Sequence, residues 1–313
     1  MPLRIISRDE LDRERWENLL ENSADARIYG LPKYLDILCG EDWAVVVDSA
    51  YNSGATLFPQ KKFGIQYLFQ PPFCQTSGIY SPEQLSAVDI GRFIQLLKTK
   101  FHSFSVCLIQ SPADFPPGIE AGLRDNYTLA LTETYNDISS RYSSGLKRKL
   151  KKGFEGSIAE CSEDESALSD FLNLVKQFFP PLNGSLPSSF NIEKYIRATL
   201  QSKLARLLIA KSKDGNMVSG LLYLSWKDRL YLVLPVSSDE GRKSNAMHFV
   251  IDHLIHTNAE SEITIDFEGS SIPGVARFYK SFGTELHRYH HIKKPFISET
   301  FEKAARRMVG FFR

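Results

Sequence analysis

The chain has 313 residues, of which 42% are hydrophobic and 24% are charged. This composition is typical of folded globular proteins, so it excludes a disordered chain, and the length suits about two domains. The net charge of +1 argues against a protein that holds duplex DNA by bulk charge, because such proteins carry a clear basic excess.

The charge is divided unevenly along the chain. Residues 1–125 contain 12 basic and 16 acidic residues, and residues 126–313 contain 26 basic and 21 acidic residues. The two parts therefore have net charges of −4 and +5. We expect an anionic substrate or partner to bind the second part, where the positive charge lies.

Cysteine spacing and hydropathy suggest a cytoplasmic protein. The four cysteines stand more than thirty residues apart and form no C-x-x-C pair, so we expect neither a zinc site nor a disulfide framework. No window of 18 apolar residues predicts a transmembrane segment. The first seven residues lack a long apolar stretch, so no signal peptide is expected.

The first half is predicted to contain both helices and strands. Ser7 and Glu10 have the spacing of a capping box, which predicts a helix directly after them. Pro32 suits the first turn of a second helix, and a third is expected over 88–101. Alternating apolar residues and turn signals predict strands at 43–47, 55–58, 65–69 and 105–109.

The second half is predicted to contain an antiparallel meander with helices on either side of it in sequence. The meander strands are 205–211, 218–226 and 229–236, joined by short turns. Before it we expect strands at 128–131 and 158–160 and helices at 138–154, after Ser162 and at 192–200. After it we expect helices at 245–258, 274–282 and 299–311 and strands at 263–267 and 286–292.

These elements predict an α/β protein, α+β in detail. We expect two domains, residues 1–125 and 126–313, each with a mixed, mostly antiparallel sheet flanked by helices. The second domain would include the basic helix and an amphipathic helix at its end. The order of elements in the second half resembles that of the GNAT acyltransferase fold, and the first half resembles a shorter version of it.

Three segments make the resemblance more specific. Residues 276–283 resemble the A-x-x-hydrophobic-Y-x-x-hydrophobic-G run of the GNAT superfamily, with one residue fewer before the tyrosine. Residues 266–274, leading to Lys280, are similar to a segment of the FemAB-like branch, and the chain is identified with that branch or with BioF2-like acetyltransferases. Residues 146–152 resemble the basic helix of FemAB-like proteins, and 71–80 resemble a loop of their first domain. The resemblance implies two tandem GNAT-like domains and transfer of an acyl or aminoacyl group onto an amine.

The resemblance also implies catalytic roles. Tyr279 is expected to protonate the leaving group, and Glu268 and Asp266 are the candidate bases. Carboxylates after a buried strand often line a crevice, yet they equally cap the amides of the following loop. A core position would account for Tyr279 as well. An amide beside Pro235, such as that of Val236, is expected to meet the carbonyl oxygen of the donor, because proline has no N–H group.

The donor is expected to bind the second half. Residues 237–246 take the place of the loop that cradles coenzyme A in GNAT enzymes, but they contain one glycine only. Five of the six residues 147–152 are cations, which is typical of a solvated helix face or of a phosphate-binding helix. The candidate binding residues are Arg242, Lys243, Ser244, Asn245, Lys280, Lys147, Arg148 and Tyr80.

Several partners and functions remain open from the sequence. The donor would be acyl-coenzyme A or aminoacyl-tRNA, and the acceptor a small-molecule or peptide amine. One alternative is a coenzyme A-dependent N-acetyltransferase, and another is a catalytically degenerate GNAT-like binding module that forms a homodimer through its last helix. His287 and His291 would share one face of a strand, but two histidines without a carboxylate partner do not predict a metal site.

Overall fold

The computed structural model describes residues 2–62, 64–154, 158–179, 190–269 and 272–295. Their contacts divide the chain into two units. One unit comprises the described residues up to Arg124 and those from Arg288 onward, and the other comprises Asp125–His287. Residues 288–295 therefore group with the first unit, which the predicted boundary at residue 125 did not include. The amphipathic helix predicted at 299–311 lies outside the described residues.

Eight of the described strands lie wholly or mostly in the first unit, and one of them comes from the end of the described chain. They are β1 (Leu3–Ser7), β2 (Ala44–Asp48), β3 (Gly54–Leu57), β4 (Pro59–Lys62), β5 (Ile65–Phe69), β6 (Ile79–Tyr80), β7 (Ser103–Leu108) and β14 (Glu285–Lys294). One sheet has the order β1-β2-β3-β6, and a second group has the order β4-β5-β7-β14. Only β5 and β7 pair in parallel.

Three α-helices accompany these strands: α1 (Arg13–Glu21), α2 (Pro32–Cys39) and α3 (Ala87–Lys100). The predictions of α2 and α3 are confirmed to within a few residues. Glu10 does accept hydrogen bonds from the Ser7 amide and hydroxyl, but the box encloses a single 3₁₀ turn. The helix itself begins after Asp12, whose side chain accepts a hydrogen bond from the Arg15 amide.

The second unit is built on one sheet. Its strands are β8 (Glu120–Ala130), β9 (Ile158–Glu163), β10 (Ala205–Ser212), β11 (Met217–Trp226), β12 (Arg229–Ser237) and β13 (Thr264–Asp266). Their order is β8-β13-β12-β11-β10-β9. The predicted antiparallel meander is confirmed, and β12 and β13 form the parallel pair.

Helices cover both faces of this sheet. They are α4 (Tyr135–Ser140), α5 (Ser144–Phe154), α6 (Leu168–Phe178), α7 (Ile192–Gln201), α8 (Asp239–Lys243), α9 (Ala246–Asn258) and α10 (Pro273–Lys280). Gly220 of β11 leaves room for the ring of Phe171 on α6, because an added Cβ would lie 2.6 Å from that ring. The next residue, Leu221, points to the opposite face and joins the core that contains Val250 and Leu254 of α9.

Two helix predictions in this unit were wrong. The single helix predicted over 138–154 is two helices, because Ser143 starts a new one and its hydroxyl accepts a hydrogen bond from the Leu146 amide. Ser162 is not a helix cap, since it lies inside β9. Asp164 instead caps a 3₁₀ turn that precedes α6, where its side chain accepts a hydrogen bond from the Ser166 amide at 2.9 Å.

Candidate active site

The candidate site lies where two neighbouring strands of the second unit separate. β12 and β13 pair over three residues only, from Arg229 opposite Thr264 to Tyr231 opposite Asp266. β12 continues to Ser237 in its ladder with β11. The sheet therefore opens beyond Tyr231, at the carboxyl end of β13, which is the kind of edge at which ligands bind α/β sheets.

A β-bulge interrupts β12 next to this opening. Leu232 pairs with Tyr223 and Leu234 pairs with Leu222, so Val233 has no partner of its own in that register. A bulge redirects the main chain locally and breaks the regular ladder. Val236, the amide expected from the sequence, stands in register with Gly220. The irregular position is thus three residues earlier than expected.

Asp266, the last residue of β13, is held by polar groups from several elements. Its Oδ2 atom lies 3.1 Å from the Arg229 guanidinium on β12, and its Oδ1 accepts a hydrogen bond of 3.0 Å from the Asn126 side chain on β8. The same Oδ1 accepts a bond of 3.0 Å from the Glu268 amide. Only 2% of Asp266 is exposed. This buried carboxylate is therefore paired and hydrogen-bonded, as burial of a charge requires.

Glu268 follows Asp266 by two residues and has an unusual main-chain conformation. Its φ angle is +62°, in the left-handed region that side chains with a Cβ rarely adopt. The residue is half-buried, and burial raises the pKa of its carboxyl group to about 8. Strained conformations and raised carboxyl pKa values both concentrate at functional sites.

Tyr279 on α10 lies in an aromatic cluster beside these carboxylates. It is 8% exposed, and its ring centroid lies 5.1 Å from that of Phe267 and 6.0 Å from that of Tyr127. Burial raises the pKa of its hydroxyl, and the negative charges of Glu268 and Asp266 raise it further. The structure thus brings the three predicted catalytic residues together and keeps the Tyr279 hydroxyl protonated at ordinary pH.

Lys280 lies next to the cluster on the solvent side. Its side chain is exposed, and its ammonium group is 5.7 Å from the centre of the Tyr127 ring. That distance allows a cation–π interaction. Tyr127 carried no signal in the sequence that distinguished it from a core residue of a strand, and neither did Asn126 or Arg229. Their roles depend on the pairing of β8, β12 and β13.

The predicted donor-binding residues after β12 interact mainly with their own helix. Arg242 lies 3.2 Å from Asp239 and stacks over the ring of Phe178, and the Ser244 hydroxyl donates to the Glu240 carbonyl oxygen at 2.9 Å. Asn245 has a φ of +59° and does not cap α9 with its side chain. Lys243 is exposed. These groups lie just before and at the start of α9. In the sequence they are distant from Glu268, the residue with the left-handed conformation.

The basic helix α5 is anchored by Leu146 and Leu150, which are buried. Two of its cations already have partners within the protein. The ammonium group of Lys147 donates to the Ser140 carbonyl oxygen at 2.6 Å, and that of Lys149 lies 3.1 Å from the Nε2 atom of His248. The exposed side chain of Arg148 stands between these two residues in sequence.

Tyr80 belongs to the core of the first unit. It is 0% exposed and packs edge-on against Trp16, with ring centroids 5.8 Å apart. The loop before it is also largely buried. A cleft of about 390 Å³ lies beside the following residues in the same unit and is lined by Asp25, Ser81 and Gln110 among others.

The histidines of β14 have separate partners. The Nε2 atom of His291 lies 2.9 Å from the Ser105 hydroxyl and its Nδ1 atom 3.3 Å from Arg124. Because a guanidinium only donates, Nδ1 accepts and Nε2 carries the hydrogen, so His291 cannot act as a base toward Ser105. His287 lies 3.7 Å from Glu285. In the described part of the chain, no group of three or more His, Cys, Asp or Glu side chains could hold a metal ion.

Solved structures share this fold over nearly the whole chain. A structure of FemX has a TM-score of 0.62 at 12% identity, covering 93% of this chain and 97% of that one. The C-terminal domain of a putative lysylphosphatidylglycerol synthetase from Agrobacterium fabrum has a TM-score of 0.57 at 11% identity, covering 92% and 93%. L-PGS from Bacillus licheniformis has a TM-score of 0.54 at 12% identity, covering 91% and 92%.

These likenesses show a FemAB-like fold of the GNAT type. They confirm the predicted fold class and the resemblance noted in the sequence. No family profile and no curated protein matches this sequence. Among the helices of the described residues, none is both long enough and apolar enough to cross a membrane.

Proposed function

We propose that the protein is a transferase that moves an acyl or aminoacyl group from a carrier onto an amine, with Glu268 as base and Tyr279 as acid. The observation that carries this proposal is a carboxyl group with a raised pKa, Glu268, whose charge acts on the buried phenol of Tyr279, just past the point where β12 and β13 separate. The FemAB-like fold supports it, since aminoacyl transfer is what the sequence resemblance implied.

Glu268 suits removal of a proton from an ammonium group. An amine must lose its proton before it attacks a carbonyl carbon, and α-amino groups have a pKa of about 8 in water. The pKa of Glu268 is also about 8, so the proton would pass between groups of nearly equal basicity. Matched pKa values near the working pH are what general base catalysis favours.

Tyr279 suits protonation of the leaving group. Because its pKa is raised, the hydroxyl gives up its proton only to a strongly basic leaving group, so it suits an alkoxide better than a thiolate. The bulge at Val233 supplies a main-chain position outside the regular ladder, where an amide would stabilise negative charge on the carbonyl oxygen. Base, acid and amide would then surround one reacting carbon.

The carrier is proposed to be aminoacyl-tRNA, with the exposed side of α5 as a phosphate contact. Arg242 and Ser244 are engaged with their own helix, which disfavours a coenzyme A cradle at that position. Lys280 beside Tyr127 would provide a further positive charge at the site. A cytoplasmic location follows from this donor, and the acceptor would be a small-molecule or peptide amine.

The test is a transfer assay with purified protein. Labelled aminoacyl-tRNAs and labelled acyl-coenzyme A are each offered with a mixture of amines, and the labelled amide is detected by mass spectrometry. Transfer from aminoacyl-tRNA, reduced by Glu268→Gln and Tyr279→Phe but not by the exposed control Glu262→Gln, is expected. Transfer from acyl-coenzyme A alone would support the N-acetyltransferase alternative. Wild-type rates in both site variants would refute the roles given to Glu268 and Tyr279.

A further inference from the structure

The sequence predicts Asp266 and Glu268 as equivalent candidate bases, but their surroundings in the structure differ. Asp266 is 2% exposed and binds the Arg229 guanidinium, the Asn126 side chain and the Glu268 amide at 3.0–3.1 Å. Both oxygens of Asp266 are therefore already engaged by groups of the protein.

The same contacts act directly on the main chain of Glu268. The Oδ1 atom of Asp266 accepts a hydrogen bond from the amide of Glu268, two residues later in the chain. This hydrogen bond closes a local turn. Asn126 comes from β8 and Arg229 from β12, the strands to either side of β13, so the carboxylate is held from both neighbours. Glu268 and the following Gly269 both have positive φ angles, +62° and +61°.

A left-handed conformation at a residue with a Cβ is unfavourable unless the surroundings impose it. We propose that Asp266 is a positioning residue: held by Arg229 and Asn126, it binds the Glu268 amide, imposes the left-handed conformation and so keeps the Glu268 carboxyl group away from water beside Tyr279. This inference rests on the proposed function for its catalytic meaning, but its structural content is testable without any substrate.

The first test is a double-mutant cycle on thermal stability. Glycine adopts a positive φ freely, so Glu268→Gly should have a Tm about 2–4 °C above that of Glu268→Gln, which keeps the strain. In an Asp266→Ala background the main chain at residue 268 can leave the left-handed conformation. The difference in Tm between Glu268→Gly and Glu268→Gln should then vanish. The matched control is Lys203, another left-handed residue, with φ of +60°. Lys203→Gly should raise the Tm equally in both backgrounds.

The second test follows the Glu268 carboxyl group by carbon NMR, with Glu268→Gln to assign its signal. In the wild type it should titrate at about 8. Arg229→Gln loosens Asp266, and the Glu268 pKa should then fall toward the ordinary value of about 4.3 as the carboxyl group reaches water. Removing a cation by charge alone would raise this pKa, so a fall reports movement of the group. Arg229→Lys keeps the positive charge and should shift the Glu268 pKa less than Arg229→Gln does.

Two results would overturn the inference. One is an unchanged advantage of glycine at residue 268 after Asp266→Ala, and the other is an unchanged or higher Glu268 pKa in Arg229→Gln. If Asp266→Ala does not fold, the cycle is run in Arg229→Gln instead. Coupling between Asp266 and Glu268 together with wild-type transfer by Glu268→Gln would refute the base role proposed for Glu268 alone. Transfer that depends on Glu268 without such coupling would refute the positioning role alone.

Discussion

The ammonium group of Lys149 donates to the Nε2 atom of His248 at 3.1 Å, which joins the basic helix α5 to α9. The Nδ1 atom of the same imidazole lies 3.3 Å from the Asn245 carbonyl oxygen, so a neutral ring satisfies both partners. The ring also packs edge-on against Phe278, with centroids 4.7 Å apart. Burial, and then the charge of Lys149, lower the pKa of His248 to about 4.

Lys149→Met should raise the pKa of His248 toward the ordinary value of about 6.5, because one of its two lowering causes is removed. The folded pKa lies below the unfolded one, so His248 stabilises the fold above about pH 6.5 and this contribution is lost as pH falls toward 4. In Lys149→Met, the pH range over which the contribution of His248 to stability is lost should therefore be narrower than in the wild type. Nitrogen NMR of the imidazole measures the pKa directly.

The matched control for Lys149 is Lys147 on the same helix. Its ammonium group binds the Ser140 carbonyl oxygen and not an imidazole. Lys147→Met should leave the His248 titration unchanged. An equal shift in both variants would mean that the general charge of α5, not the contact with Lys149, lowers this pKa.

The contribution of Glu268 to the stability of the wild type should fall as pH rises from about 4.3 to about 8, because Glu268 keeps its proton in the folded state over this range and loses it when unfolded. Above pH 8 this contribution levels off. Glu268→Gln removes the titration, so the urea midpoint of the variant should rise relative to that of the wild type across this pH range. Parallel profiles for wild type and variant would contradict the raised pKa.

The rate of transfer should rise with pH up to about 8 if Glu268 is the base, because only its ionised form accepts a proton. Glu268→Gln should lower kcat/KM by about 10²- to 10⁴-fold and abolish this limb of the profile. Glu262→Gln should leave both unchanged. If the transfer rate of Glu268→Gln still rose with pH up to about 8, the titration would belong to another group.

Gly283 ends the A-x-x-hydrophobic-Y-x-x-hydrophobic-G run and has a φ of +75°. An added Cβ would lie 2.9 Å from the Cβ of Arg141, so Gly283→Ala should cost about 2–3 kcal/mol in free energy of unfolding. Gly274, inside α10, has no atom within 4 Å of such a Cβ. Gly274→Ala should instead stabilise the protein by up to about 1 kcal/mol, measured by urea unfolding.

Removal of the exposed cations Arg148 and Lys151 should weaken binding of aminoacyl-tRNA if α5 contacts phosphate. Each lost phosphate contact should reduce the salt dependence of log Kd by about one unit of slope. Lys100→Ala and Lys213→Ala, exposed cations elsewhere, serve as controls. Equal losses in all four variants would indicate attraction by overall charge and no specific role of α5.

Local sequence signals predicted most elements of the fold correctly. The meander, α2, α3 and α10 follow from periodicity, proline position and turn residues, all of which act within a few residues along the chain. The errors also have local reasons. Ser162 and Asp164 are both acceptable cap residues, and only the pairing of β9 with β10 shows that Ser162 belongs to a strand.

The candidate site was predicted in part. Tyr279, Glu268 and Asp266 were found because they lie in one short segment with a recognisable order. Their different roles were not predictable, because Asn126 lies 140 residues from Asp266 in the sequence and Arg229 lies 37 residues from it. Nothing local to those two residues indicates which carboxylate they hold.

The sequence alone determined the order of the elements, the unequal division of charge and the segment that carries the carboxylates and the tyrosine. The tertiary structure decided which groups hold Asp266, how far Glu268 is buried and where β12 leaves β13. The physical reason is that desolvation, ion pairing and main-chain strain depend on neighbours brought together by folding. Burial raises the pKa of Glu268 to about 8, and its left-handed conformation stands next to the Asp266 carboxylate that accepts its amide.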